Sequence, residues 1–107
     1  MKPQQIELLA KDILGWLYEK ELWIDVRVYY NGKVVYEKSK EEVADPKDYF
    51  DYVGDILSMS FEGALYEVFN GTSARASKLQ EEFNEILGKY GVYYELGNSW
   101  NLTLYEE

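Results

Sequence analysis

The chain contains neither cysteine nor histidine. Their absence removes the thiolate nucleophile, the imidazole base, the usual zinc ligands and any disulfide framework together. Basic residues are also few: Lys plus Arg total 11 against 20 Asp plus Glu, for a formal net charge of −9. Lys33, Lys38 and Lys40 beside Arg27 make only a loose basic group, and the overall charge repels phosphate, so direct binding of nucleic acid is not expected. The eight glycines are scattered, with no Gly-x-Gly-x-x-Gly or Gly-Lys-Ser loop to cradle a phosphate and no Asp-x-Asp-x-Asp-Gly array for calcium. No apolar run approaches the roughly 18 residues of a membrane span. Met1-Lys2-Pro3-Gln4-Gln5 has no apolar core of the signal-peptide kind. These absences lead to the expectation of a cytoplasmic protein with no cofactor, no metal and no membrane partner.

What is present is apolar enough to fold. With 47% hydrophobic and 17% aromatic residues over 107 positions, the chain reads as one domain, 1–107, able to bury about 60–70% of its unfolded surface. Over residues 4–20, Ile6, Leu9, Ala10, Ile13, Leu14 and Leu17 follow the three-and-four spacing of one helical stripe, and Pro3 suits the first turn. Residues 22–30 alternate, with Ile24, Val26, Val28 and Tyr30 on one face and Asp25, Arg27 and Tyr29 on the other. Asn31-Gly32 then supplies the positive φ values of a type I′ hairpin turn, which pairs Val28 with Val35, Arg27 with Tyr36 and Asp25 with Lys38.

Further on, Asp45-Pro46 reads as a helix N-cap and first position, with Tyr49, Phe50, Tyr52, Val53 and Ile56 as an apolar side. Leu57, Met59 and Phe61 alternate with Ser58, Ser60 and Glu62, which predicts a third strand over residues 55–62. Ala64, Leu65, Val68 and Phe69 fit a short helix closed by Asn70-Gly71. Ser77 and Gln80 match a capping box ahead of Leu79, Phe83, Ile86, Leu87 and Tyr90, with Gly91 as the C-terminal cap. In the tail, a three-residue loop Gly97-Asn98-Ser99 aligns Leu96 with Trp100, Tyr94 with Leu102 and Val92 with Leu104. The fold class is therefore α+β: an antiparallel sheet of about five strands, with two main helices and one or two short ones packed on it.

The charge is unevenly placed. Residues 41–67 carry Glu41, Glu42, Asp45, Asp48, Asp51, Asp55, Glu62 and Glu67 against Lys47 alone, so seven of the nine excess negative charges lie there. If that segment is helical, Glu41, Asp45, Asp48, Asp51 and Asp55 share about a third of the helix circumference, about 5 Å apart along the axis. A DNA strand carries one phosphate per about 3.4 Å, so the row resembles a duplex edge to a protein that reads phosphates. Like charges at this spacing repel, which is a cost a purely structural helix avoids by interleaving lysines. The plainer alternative is a solvated face that keeps the protein soluble. Tyrosine is abundant, at 11 residues, and Tyr49 and Tyr52 among the aspartates offer rings as well as carboxylates to a basic groove. Paired carboxylates, Glu62 with Glu67 or Asp51 with Asp55, would suit acid–base catalysis only inside a concave pocket, and the enzyme reading is not preferred.

In composition, residues 45–67 within a small, tyrosine-rich, cysteine-free acidic α+β chain resemble the DNA-mimic inhibitors of phages and mobile elements, of the anti-CRISPR and anti-restriction types. The resemblance implies a stoichiometric inhibitor that occupies a basic nucleic-acid-binding protein or nuclease in the host bacterial cytoplasm. Its partner-binding residues are expected to be Glu41, Glu42, Asp45, Asp48, Tyr49, Asp51, Tyr52 and Asp55, acting as a monomer or weak homodimer. Two alternatives stay open. One is an immunity or antitoxin protein, and the other is a phage or bacterial assembly protein that self-associates through Trp23, Trp100 or edge-strand tyrosines.

Overall fold

The computed structural model describes residues 1–45, 48 and 56–107. The helix expected after Asp45-Pro46 therefore lies almost wholly outside the described residues. The first helix, α1, spans Pro3–Glu19. The Lys2 N–H, one of the donors that a helix start leaves without a partner, donates to Gln5 Oε1 at 3.0 Å. Ile6, Leu9, Ala10, Ile13, Trp16 and Leu17 are buried, so Trp16 completes the core stripe, while Leu14 is half-buried on its flank.

β1 (Val26–Tyr30) and β2 (Lys33–Tyr36) form the expected hairpin, with Val28 opposite Val35. Asn31 and Gly32 have φ of 48° and 75°, as a type I′ turn requires. Asn31 Nδ2 donates to the Pro3 carbonyl at 3.0 Å and to Glu7 Oε1 at 3.2 Å, which pins the turn to α1. The strand begins later than its alternation implies. Asp25 has a φ of 61°, which breaks the extended run and leaves Ile24 54% exposed. Asp25 and Lys38 do not pair, because Lys38 sits in a turn with its ammonium 5.1 Å from the centre of the Trp23 ring.

Glu37, Lys38 and Ser39 all have positive φ and turn the chain into β3 (Lys40–Val43), a strand with no counterpart among the elements expected from sequence. Its residues are all exposed and three of the four are charged, so no burial pattern announces it. β4 (Ser58–Phe61) falls inside the expected third strand, and α2 (Gly63–Asn70) matches the expected short helix. α3 spans Ala74–Gly88 and starts earlier than expected. Ser73 is its cap, with Oγ accepting from the Ala76 N–H at 3.1 Å. Ser77 is one turn inside the helix, and Gln80 donates to the Val68 carbonyl at 2.7 Å to tie α3 to α2. Gly91, at a φ of 68°, turns the chain out of α3.

The last hairpin corrects the expected register. β5 (Val92–Asn98) and β6 (Asn101–Glu106) pair Tyr94 with Leu104 and Leu96 with Leu102. The loop is Ser99-Trp100, not three residues, because a bulge at Gly97 takes up the extra position. Apolar residues still face one another, since a shift of two residues preserves the face. Asn101 holds the bulge: its Oδ1 accepts from the Asn98 N–H at 3.1 Å and lies 2.4 Å from where a Cβ on Gly97 would be.

The six strands form one antiparallel sheet in the order β3-β2-β1-β4-β6-β5. α1 packs on β1, α3 on β5, and the two helices pack on each other. Between helices and sheet, Phe83 and Phe69 stack with Trp16, Phe61 and Tyr94 at ring separations of 5.1–5.5 Å. On the opposite face Tyr29, Val34 and Ala44 form a second small cluster. There Ser58 and Thr103, both buried, bond through their hydroxyls at 2.9 Å. Among the described residues no helix is long and apolar enough to cross a membrane.

Gly97→Ala is expected to destabilise the protein by about 1–3 kcal/mol, because the added methyl must displace a buried amide that already bonds the bulge. Urea unfolding of the variant beside Gly88→Ala, whose Cβ meets open space, measures the difference. A second check concerns Tyr90, whose hydroxyl donates to Asp12 Oδ2 at 2.5 Å and links the end of α3 to α1. That bond to a carboxylate, helped by partial burial, pushes the phenol pKa up to about 12. The folded-state value exceeds the unfolded value of about 10, so the bond's contribution is complete below pH 10 and is lost as pH rises through about 12. Tyr90→Phe should cost about 1 kcal/mol at neutral pH, and the gap from wild type should close in denaturation measured between pH 10 and 12.

Candidate docking site

The acidic segment begins on a sheet edge. Glu41 and Glu42 lie in β3, an outermost strand of the sheet, so the helical stripe that joined Glu41 to Asp45 and Asp48 does not form. As neighbours on a strand, the two glutamates point to opposite faces of the sheet. Glu41 lies opposite Val35 on the helix-covered side, and Glu42 lies opposite Val34 on the other. Asp45 and Asp48 follow just beyond the strand. The Asp48 N–H donates to the Asp45 carbonyl at 2.9 Å, which brings both onto one turn, and both are exposed. Tyr49, Asp51, Tyr52 and Asp55 lie outside the described residues.

Local partners moderate this charge only in part. Lys33 Nζ lies 2.9 Å from Glu7 and 3.7 Å from Glu41, and it also sits 4.9 Å over the Tyr30 ring. The hydrogen bond to Lys33 holds the Glu7 carboxyl below its usual range, and the same bond raises the lysine. Glu42 accepts from the Tyr36 hydroxyl at 2.5 Å, which pushes that phenol up. Lys40, the remaining base of β3, is taken by Glu37 at 2.8 Å. Lys33 thus joins α1, β2 and β3 through one ammonium, a role that its neighbours in the chain do not announce.

A hollow that joins two carboxylates does exist, although not between the pairs expected. It is lined by Asp25, Arg27, Ser60, Phe61, Glu62 and Trp100 and has a volume of about 210 Å³. Typical ligand pockets begin near about 300 Å³. Asp25 and Glu62 are both exposed. Glu67 does not line this hollow.

The aromatic surface divides unevenly. Trp23 packs against the core with Lys38 over its ring, while Trp100, at the β5–β6 turn, is 45% exposed. Tyr93 and Leu96 on the outermost strand β5 are exposed beside it, and Tyr93 stacks on Tyr105 at 5.8 Å. No protein-family profile, curated protein or solved structure matches this chain.

Proposed function

We propose that this protein is a non-enzymatic acidic inhibitor that docks on the DNA-binding surface of a nuclease or other nucleic-acid-binding protein and competes there with DNA. The observation that carries the reading is the run of exposed carboxylates, Glu41, Glu42, Asp45 and Asp48, along and beyond the outer edge strand β3 in a chain of net charge −9. Neighbouring strand residues point to opposite faces, so Glu41 and Glu42 offer one carboxylate to each face of this edge, and Asp45 and Asp48 extend the charge beyond it. A cleft that neutralises phosphates with Lys and Arg can therefore meet carboxylates from either side of the edge. Tyr49, Asp51, Tyr52 and Asp55 continue the docking segment in sequence and add rings that an arginine can cover. An immunity or antitoxin protein that plugs the basic cleft of a toxin nuclease is the same mechanism with a different partner.

A second reading, self-association into an assembly, draws on Tyr93, Leu96 and Trp100, exposed by 40%, 43% and 45% on and beside the outer edge strand β5. An uncovered strand edge carrying apolar side chains is a pairing template. Repulsion between two copies of charge −9 opposes it. Sedimentation over a hundredfold concentration range is expected to give a monomer. A dimer that Leu96→Lys disperses would put assembly first.

The inhibitor reading is tested by capturing basic nucleic-acid enzymes from a lysate on the immobilised protein, then measuring association with the captured enzyme. Long-range steering decays over a Debye length of about 8 Å at physiological salt, so binding should slow steeply with added salt, and DNA should release it. Reversing Glu41, Glu42, Asp45 and Asp48 to lysine moves the net charge by eight units, from −9 to about −1. The association rate should fall at least tenfold. A rate unchanged by that reversal would remove the basis of the reading.

A further inference from the structure

We infer that the outer face of α1 is a groove for one amphipathic helix of a cationic partner, laid beside α1 over β2 and β3. This deepens the docking reading by naming the element the partner presents, and it rests on that reading for the sign of the partner's charge. The groove has a volume of about 760 Å³ and runs from Gln4 to Tyr18 along α1, with Tyr30 and Ser39 on the sheet side. At about 1.5 Å of rise per residue, that stretch of helix makes a trough about 21 Å long, the length of about four turns of a second helix.

The chemistry of the lining fits that occupant. Leu8 is 58% exposed, Leu14 is half-buried, and Gly15 stands beside them with nothing within 4 Å of where a Cβ would be, so a neighbouring backbone can approach closely. The Tyr18 side chain closes the far end, its hydroxyl buried and without a hydrogen-bond partner among the described residues. On the sheet side Val43 is 98% exposed, opposite Lys33 on the helix-facing side of β3. A helix set here would continue the helical layer over two strands that α1 does not cover.

Charge selects which helix. The chain carries −9 overall, and Glu41, Glu42, Asp45 and Asp48 lie along the same sheet edge. Within the groove Glu7 is held by Lys33 and Lys11 adds a positive charge, so the sign is set by the acidic edge beside it: a helix with a leucine stripe toward α1 and lysines or arginines on the side facing β3 meets apolar surface and carboxylates at once. A second copy of this chain brings apolar surface but the wrong sign.

The probe is a synthetic amphipathic helix of about four turns with a leucine stripe and lysine and arginine elsewhere, compared with the same stripe bearing glutamates. Binding is followed by fluorescence anisotropy and by amide NMR shifts along α1 and β3. The basic helix should bind at least tenfold more tightly than the acidic one. Gly15→Gln, which fills the trough while improving helix propensity, and Leu8→Glu, which adds favourable charge but removes apolar contact, should each weaken it about tenfold or more. Three results would overturn the inference. If Gly15→Gln binds normally while Glu41→Lys with Asp45→Lys does not, the helix sits on the acidic edge alone and the inhibitor reading survives without the groove. If both peptides bind equally and Gly15→Gln weakens both, the cationic partner is wrong. If the protein sediments as a dimer that Gly15→Gln disperses, the occupant is a second copy.

Discussion

Two long helices are asked to cover a six-stranded sheet, and much of the molecule follows from that mismatch. Strands spaced about 4.8 Å apart make a sheet about 24 Å wide, while two helices each about 10 Å across cover about 20 Å. α1 and α3 pack on each other and settle over β1 and β5, where Phe61, Phe69, Phe83 and Trp16 fill the space beneath them. Among the described residues, the remainder that neither α1 nor α3 covers falls at β2 and β3. Val35 is still buried there, but one strand further out Glu41 and Val43 stand exposed on the same face. The groove beside α1 and the acidic edge are therefore two consequences of one packing arrangement.

Electrostatics then acts on that open side. The Lys20–Glu82, Lys33–Glu7, Lys33–Glu41 and Lys40–Glu37 pairs all lie at the surface with their charges at least partly solvated, and pairs of that kind are worth between about zero and 1 kcal/mol each. They do little for folding stability. Lys33 is the exception in arrangement, since it bridges Glu7 on α1 and Glu41 on β3 and lies over Tyr30, so it fixes the position of the edge strand relative to the helix. Its single positive charge cannot offset the acids that follow. Folding energy comes from the apolar and aromatic core, and the surplus charge is carried at a cost of self-repulsion. That cost is easier to understand in a protein whose charge meets a partner than in one whose charge only solvates it.

The core stripe of α1, the Asn31-Gly32 hairpin with Val28 on Val35, the β4 strand and the short helix α2 are all legible in the sequence, because each rests on local periodicity or on a turn with a strict φ requirement. What is not legible depends on contacts distant in the chain. Ser77 and Gln80 have the spacing of a capping box, yet Ser73 caps α3 because Gln80 is needed by the Val68 carbonyl. The bulge at Gly97 is dictated by the Asn101 side chain across the hairpin. β3 is polar nearly throughout and carries no periodic signal, so in sequence Glu41 and Glu42 run on into the acids after them as if all shared one helix. The groove leaves no such trace in the sequence: Leu8 and Leu14 stand six residues apart, about 120° from one another round the helix with Lys11 between them, and Leu14 reads there as part of the core stripe.

The two features of the open side contribute to binding in different ways. Exposed carboxylates act over about a Debye length, so in the proposed complex Glu41, Glu42, Asp45 and Asp48 would raise the frequency and orientation of encounters more than the final strength. Apolar burial acts only on contact and is not screened by salt: covering Leu8, Leu14 and Val43 at about 25 cal/mol per Å² slows dissociation. An acidic edge alone would give a fast, short-lived complex that DNA at high local concentration displaces. An apolar trough alone would bind amphipathic helices without regard to charge. With Lys33 linking β3 to α1, the proposed partner helix would engage both at once, drawn by charge and held by leucine.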